Sequence, residues 1–358
     1  MAQESAEQLA DACEELLARA ETSARERSGR WVLADQMLVG LPSSHLRGRA
    51  WTIIQRRPRP ERAIDESELT ALLARALRLA VNRLVGDEGP NWLLVDAAPV
   101  SLTVDGRRVT DPVGFRAQEV GATAFAALVQ MDTVVAWQVV AETLEFSTLT
   151  LTPAPLALAA SMKGSQGVLV DVGGSTTDLT WWRAGRPLAL DSLPLGGTLM
   201  TRALTSAWNL SADRAKRLMK AYAEDRLDEE ARFRVSEVLS PALETWKAGT
   251  VDALSRLNQE EPLPERFFLL GGGAALPDVV EAVRSLAWCE RLQFDRYPQV
   301  DRLRPTDVPG VVNRTDMGKT LGDVSALALA AWACHQDQAV DRPTRILGEF
   351  CQVYDQDG

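Results

Sequence analysis

Residues 5–26 place Leu9, Cys13, Leu16, Leu17 and Ala20 at helical spacing, and Ser5 with Gln8 fits a capping box at the start. The segment predicts one amphipathic helix. Residues 31–41 and 50–57 read as two strands. Residues 65–85 carry a broad apolar face through Leu69, Leu72, Leu73, Ala76, Leu77, Leu79 and Ala80, which predicts a second helix. Residues 91–115 are extended on both sides of an Asp105-Gly106 hairpin turn. Beyond 119 a mixed apolar segment leads to a proline-containing entry into a short helix at 149–162. A strand, a small polar turn and a second strand follow at 168–182. Residues 211–259 are almost wholly helical, with a break predicted at Ser240-Pro241, and 266–286 read as strand, glycine loop and helix. Alternating strands and helices indicate α/β layers.

Composition narrows the class without changing this picture. The 358 residues are 46% hydrophobic and 25% charged, enough for a large core and two lobes. The net charge is −10 and there is no dense basic run, which argues against nucleic acid as a partner. Cys13, Cys289, Cys334 and Cys351 have no paired spacing, and His45 and His335 are the only histidines. A disulfide frame, a zinc site and a histidine-based triad are all disfavoured. The first residues are too charged for a signal peptide, and no stretch reaches the roughly 18 to 20 apolar residues of a spanning helix. The expected location is cytoplasmic.

Two glycine loops carry the candidate chemistry. Between Asp171 and Asp178 every residue but Val172 is Gly, Ser, Thr or Asp. The loop leads into a strand, so it is neither a P-loop nor a dinucleotide fingerprint, both of which open a helix. Its small side chains let an anion approach exposed backbone N–H groups, and Asp171 is placed to orient a hydrated Mg²⁺ or an attacking water. The alternative is a turn whose Asp and Thr side chains cap its own backbone. The second loop, Gly271, Gly272 and Gly273, joins a strand to a helix that opens with Pro277 and Asp278. Alone it reads equally as a connector; paired with the first loop it points to a nucleotide.

The stretches DVGGSTTDLT (171–180), LPLGG (193–197) and LLGGGAALP (269–277) resemble the actin and heat-shock-chaperone ATPase superfamily. Within it the chain is similar to FtsA, the bacterial division actin, with the pilus protein PilM next. TVDGRRVTDPVGF (103–115), LPLGGTLMTRAL (193–204) and DMGKTLGDVSALALAAWA (316–333) support that choice. The resemblance covers about residues 5–336. It implies an actin-like (ribonuclease H-like) two-lobed α/β fold with an FtsA-type insert subdomain. The implied units are an N-terminal helix (1–30), the insert (31–118), the rest of the first lobe (119–165), a second lobe (166–336) with a helical subdomain at 205–262, and a polar tail (337–358).

Matched position by position, the resemblance puts Asp171 on the metal and its bound water. Gly173, Gly174, Ser175 and Thr176 would hold the β- and γ-phosphates of ATP, Gly196 and Gly197 would add contacts, and Gly271, Gly272 and Gly273 would line the adenosine. At the ribose, Lys216 stands where the family has Glu and Met219 where it has Lys. No Asp-x-Gly-Thr hairpin precedes residue 30, and residues 35–44 fit an insert strand better. The expected sheet thus lacks roughly its first three strands, through either a late start at Met1 or a clamp reduced to one half. The implied function is an FtsA-like cell-division protein that binds Mg-ATP weakly, is at most a weak ATPase, recruits FtsZ through the helical subdomain and self-associates through the insert. The alternatives are a PilM-like scaffold of a pilus or secretion assembly that captures a membrane partner's peptide, a degenerate actin fold without nucleotide, and an ATPase or small-molecule kinase. FtsA-like proteins also reach the inner face of the cell membrane through a C-terminal helix. Here residues 342–358 carry two Arg against one Glu and two Asp with a modest apolar stripe, so a frayed polar tail is expected instead.

Overall fold

The computed structural model describes residues 2–86, 91–162, 166–257, 261–288, 290–312, 318–334 and 341–354. Cys289, His335, Asp316 and Met317 lie outside the described residues, as do 337–340 and 355–358 of the expected tail. The chain opens with α1 (Ala2–Ser28), then β1 (Gln36–Leu41), β2 (Leu46–Arg56), α2 (Glu66–Val85), β3 (Trp92–Val104), β4 (Arg107–Val109) and β5 (Glu119–Gln130). It continues with α3 (Met131–Thr143), β6 (Thr148–Pro153), α4 (Ala154–Ser161), β7 (Gln166–Val172), β8 (Thr177–Arg183) and β9 (Arg186–Leu193). The remainder is α5 (Gly197–Trp208), α6 (Ala212–Ala223), α7 (Glu229–Leu257), β10 (Arg266–Leu270), α8 (Pro277–Arg284), β11 (Gln299–Arg302), α9 (Val324–Ala333) and α10 (Arg342–Tyr354).

Nine of the strands form one sheet in the order β11-β10-β7-β8-β9-β2-β5-β3-β4. Its two halves differ. The strands β9, β8 and β7 are antiparallel neighbours, and β7, β10 and β11 run parallel. The strands β2, β5, β3 and β4 are antiparallel throughout. The halves meet at one residue pair, Arg49 with Ala189. Asp105 and Gly106 both take positive φ, which closes the β3–β4 hairpin as its sequence demands.

Packing follows the two periodicities. Val168, Val170 and Val172 alternate along β7 onto the face covered by α5 and α7, where Met200, Leu204 and Trp246 are fully buried. On the antiparallel half, Leu69, Leu73 and Leu77 of α2 cover Leu102, Ala122 and Ala124.

Three expectations need correction. The strand read over 31–41 is confined to 36–41, and it pairs in parallel with β6 in a separate two-stranded sheet, not with the antiparallel strands that follow it. The break at Ser240-Pro241 does not occur. Pro241 sits inside the 29-residue α7, whose flanking Leu239, Ala242, Leu243 and Trp246 are buried and hold the helix across the missing hydrogen bond. The interruption falls earlier, between α6 and α7, where Asp225 adopts φ 56°. The segment read as a polar tail contains α10, whose Ile346 and Leu347 are buried with α2 and β3.

Candidate functional site

The turn between β7 and β8 and the paired glycines before α5 are built as one piece. Gly173 N–H donates to the Thr176 carbonyl at 2.9 Å, which tightens the turn. Gly197 N–H donates to the Gly173 carbonyl at 2.9 Å and Thr198 N–H to the Gly174 carbonyl at 2.8 Å. A Cβ on Gly196 would fall 2.6 Å from the Gly173 oxygen and 2.8 Å from the Gly174 oxygen, so only glycine fits there. Gly196 and Gly197 therefore hold the hairpin, and the first N–H groups of α5 are spent on its carbonyls. Thr177 donates to the Leu195 carbonyl at 2.7 Å and receives the buried Trp246 indole N–H at 2.8 Å, fixing the base of the turn.

The tip has the opposite character. Gly174 and Ser175 are exposed and Thr176 is half-buried. Among the described residues no acceptor takes up the N–H groups of Gly174, Ser175 and Thr176. Successive unclaimed N–H groups on a turn suit an anion.

The second loop is pressed against this hairpin. Gly271 has φ 84°, and a Cβ there would lie 2.3 Å from Asp171 Oδ1 and 2.6 Å from the Val172 oxygen. A Cβ on Gly273 would meet Val172 Cγ1 at 2.5 Å, whereas one on Gly272 would face open space. Gly271 N–H donates to the Leu321 carbonyl at 3.0 Å, drawing residues 320–322 alongside. A cavity of about 430 Å³ opens here between Lys216, Met219 and Lys220 of α6, Gly272, and Leu321 and Gly322. Thr201 also lines it, and its hydroxyl donates to the Gly197 carbonyl at 3.0 Å, so the cavity begins one helical turn from the hairpin. Lys216 thus stands at the cavity wall on exposed helix, and Met219 Sδ lies 3.1 Å from the Thr201 hydroxyl oxygen.

Asp171 sits at the end of β7, where Oδ2 accepts from the Ser325 hydroxyl of α9 at 2.8 Å. Its register partner across the hairpin is Asp178, a residue given no role from sequence. Antiparallel pairing puts both carboxylates on the same face, and the 171–178 register was implicit in a turn centred on Gly174 and Ser175. Asp178 accepts from Ser192 at 2.6 Å and from the Ser43 N–H at 3.1 Å, so the turn after β1 stands against it. Ser325 and residues 320–322 lie in the stretch 316–333 that supports the resemblance but were given no role at the site, because nothing local marks them as neighbours of a hairpin about 150 residues earlier. Among the described residues no cluster of three or more His, Cys, Asp or Glu can hold a metal ion. A cation here would share its ligands with a bound anion.

Burial raises the Asp171 pKa against the Ser325 hydrogen bond. Burial pushes Asp178 up to about 6; Ser192 opposes this, and the charge of Asp171 adds to it. The folded chain thus binds the Asp178 proton more tightly than the unfolded chain, whose ordinary value is 3.8. The contribution of this group to stability is full below pH 3.8, falls as the pH rises, and levels off above pH 6. Urea midpoints measured from pH 4 to 7 should fall less steeply for Asp178→Asn than for the parent. Equal slopes would mean that Asp178 carries no such strain. Asp96, which burial also lifts to about 6 against Arg186, keeps its own slope in both proteins.

Residues 168–314 match the family model described as Cell division protein FtsA; this is less than half of the chain. The Cell division protein FtsA of Bacillus subtilis (strain 168) is 25% identical over 219 residues, 54% of this chain and 50% of that protein. The chain therefore spans about half the length of the curated relative it matches. Among solved structures, the PilM-PilN type IV pilus biogenesis complex aligns at TM-score 0.55 and 18% identity, covering 82% of this chain and 79% of that one. No helix among the described residues is long and apolar enough to cross a membrane. By sequence this chain is FtsA-like, and by fold it is actin-like.

Proposed function

We propose that this chain is a nucleotide-dependent assembly protein of the FtsA type. ATP lies with its phosphates against Gly173, Gly174, Ser175 and Thr176 and its nucleoside in the cavity between α6 and Gly272. The observation that carries the reading is the hairpin tip, with three unclaimed N–H groups one helical turn from a cavity of about 430 Å³. Lys216 and Lys220 add positive charge at the cavity wall, where Lys216 and Met219 stand in place of the Glu and Lys that the resemblance predicts. Asp171 and Asp178 are the carboxylates that would face a Mg²⁺ bound together with the phosphates.

Calorimetry of the full chain with Mg-ATP is the test. Binding tighter than about 100 μM, or roughly −5.5 kcal/mol, is expected, with at least a tenfold loss in Asp171→Ala. No heat of binding would withdraw the nucleotide and leave a scaffold. The partner is a short peptide of an assembly protein, with the FtsZ C-terminal tail first because of the FtsA likeness. The PilM-type reading is supported by a fold likeness that extends beyond 168–314 to 82% of the chain. Capture of the FtsZ tail peptide supports the first partner. Capture of a pilus partner's N-terminal peptide, with none of the FtsZ tail, supports the second.

A further inference from the structure

Among the described residues the nine-stranded sheet ends at β11, which pairs with β10. Gln299 N–H donates to the Glu265 carbonyl at 2.6 Å and Leu303 N–H to the Leu269 carbonyl at 2.8 Å. Alternate residues therefore bond inward, and Val300 and Arg302 present their N–H and C=O groups at the outer edge. Among the described residues nothing takes these groups up. A bare strand edge is a template for another strand.

A cavity of about 890 Å³ surrounds this edge. One wall comes from the sheet face of Trp182 and Phe268, the other from Pro277 and Val280 of α8 on the opposite face. A strand added to β11 sends alternate side chains to opposite faces, so it would fill both sides of this cavity. Two buried donors in the wall, Trp182 Nε1 and Arg266 Nε, find no acceptor among the described residues.

The charge of the wall runs against that of the protein. The chain carries −10 overall, yet among the described residues that line the cavity Arg266, Arg284, Arg302 and Arg304 face two acids, Asp301 and Asp307. Asp301 is taken by Arg266 at 3.3 Å, and Asp307 caps the Arg304 N–H at 2.8 Å. Arg302 spends its guanidinium on the carbonyls of Ala274, Ala275 and Leu276. Burial, and then the charges of Arg304 and Arg284, hold Arg302 below its usual range. Arg302 keeps its charge but is held at those carbonyls, so the cations open to a partner are Arg284, whose carboxylate partner Glu281 is 3.9 Å away on the surface of the same helix, and exposed Arg304.

We infer that the free edge of β11 docks an extended acidic segment of a partner protein, which adds as a strand and sets its carboxylates against Arg284 and Arg304. Backbone pairing supplies affinity, the apolar walls take the alternate side chains, and the arginines select for acid. Its cavity shares no lining residue with the one beside Gly272, although Arg302 ties β11 to the carbonyls of Ala275 and Leu276 at the wall of that second cavity.

The probe is a fluorescent six-residue peptide alternating glutamate with valine and phenylalanine, followed by anisotropy with the full chain. Saturable binding is expected. It should weaken at least about tenfold in the double variant Arg284→Glu/Arg304→Glu, and by a similar factor when alternate peptide amides are N-methylated. The matching lysine peptide should not bind. Both arginines are on the surface, and circular dichroism of the variant confirms that it is folded. Absence of binding, or equal binding to parent and double variant, overturns the inference. So does equal binding of the N-methylated peptide together with full displacement by excess citrate, which would mark a small-anion site.

Discussion

Leu347→Asp should lose on the order of 4 kcal/mol of stability, read as a drop in the urea midpoint of the transition that reports Trp51 and Trp92. Leu347 is fully buried and Ile346 is 3% exposed, in one cluster with Leu69, Leu73 and Leu102. Both tryptophans pack against that cluster. A carboxylate placed there has no partner, and the half of the sheet that α10 covers must open to hydrate it. The ion pairs around the helix matter far less. Arg345 reaches Glu66 at 2.9 Å and Arg342 reaches Asp111 at 2.8 Å, but all four side chains are at least a third exposed. Arg345→Ala should cost under about 1 kcal/mol. If Leu347→Asp leaves the midpoint in place, α10 is not part of this core. The same burial bears on the membrane. Ile346, Leu347 and Phe350 of α10 are already engaged by α2 and β3, so parent protein should not float with anionic vesicles through these residues.

The second large effect separates the glycines of the loop that follows β10. Gly271→Ala should cost about 3 kcal/mol or more, since its φ of 84° is unfavourable for alanine and its Cβ would strike the Val172 backbone oxygen at 2.6 Å. The same Cβ would force Asp171 Oδ1 aside, so any Mg-ATP binding should disappear with the stability. Gly272→Ala is the informative partner. Nothing lies within 4 Å of its Cβ, and its stability should stay within about 0.5 kcal/mol of the parent. If Mg-ATP nevertheless weakens in Gly272→Ala, the ligand approaches that backbone. A Gly272→Ala protein that binds Mg-ATP like the parent would move the nucleoside away from the loop. A Gly271→Ala protein of parental stability would contradict the packing described for the loop.

These features were not equally legible in the sequence. The β7–β8 hairpin and the strand, glycine loop and helix after Arg266 stand out because their signals are local: alternation, small turn residues and a proline at the first helical position. Asp178 was within the same stretch, yet its pairing with Asp171 is a statement of register, which composition does not display. The partner of β1 is invisible for a different reason. The strand pairs with β6, more than 100 residues later, and its own alternation is satisfied equally well by any apolar surface. Pro241 predicted a break because helix propensity is local, while the burial of Leu239 and Trp246 that overrides it is tertiary. In α10, the stripe of Ile346, Leu347 and Phe350 is too short to announce a docked helix. Its meaning lies in α2 and β3, about 250 residues earlier.

That last separation bears on how the protein is made. The strands β2 to β5 leave the ribosome long before the helix that seals them. At ~5–20 residues per second, the interval between synthesis of residue 130 and residue 347 is on the order of 10–40 seconds. Throughout it, Leu69, Leu73 and Leu102 lack the cover that α10 gives them, and nascent chains stalled before Arg342 should be retained by chaperones that full-length chains escape.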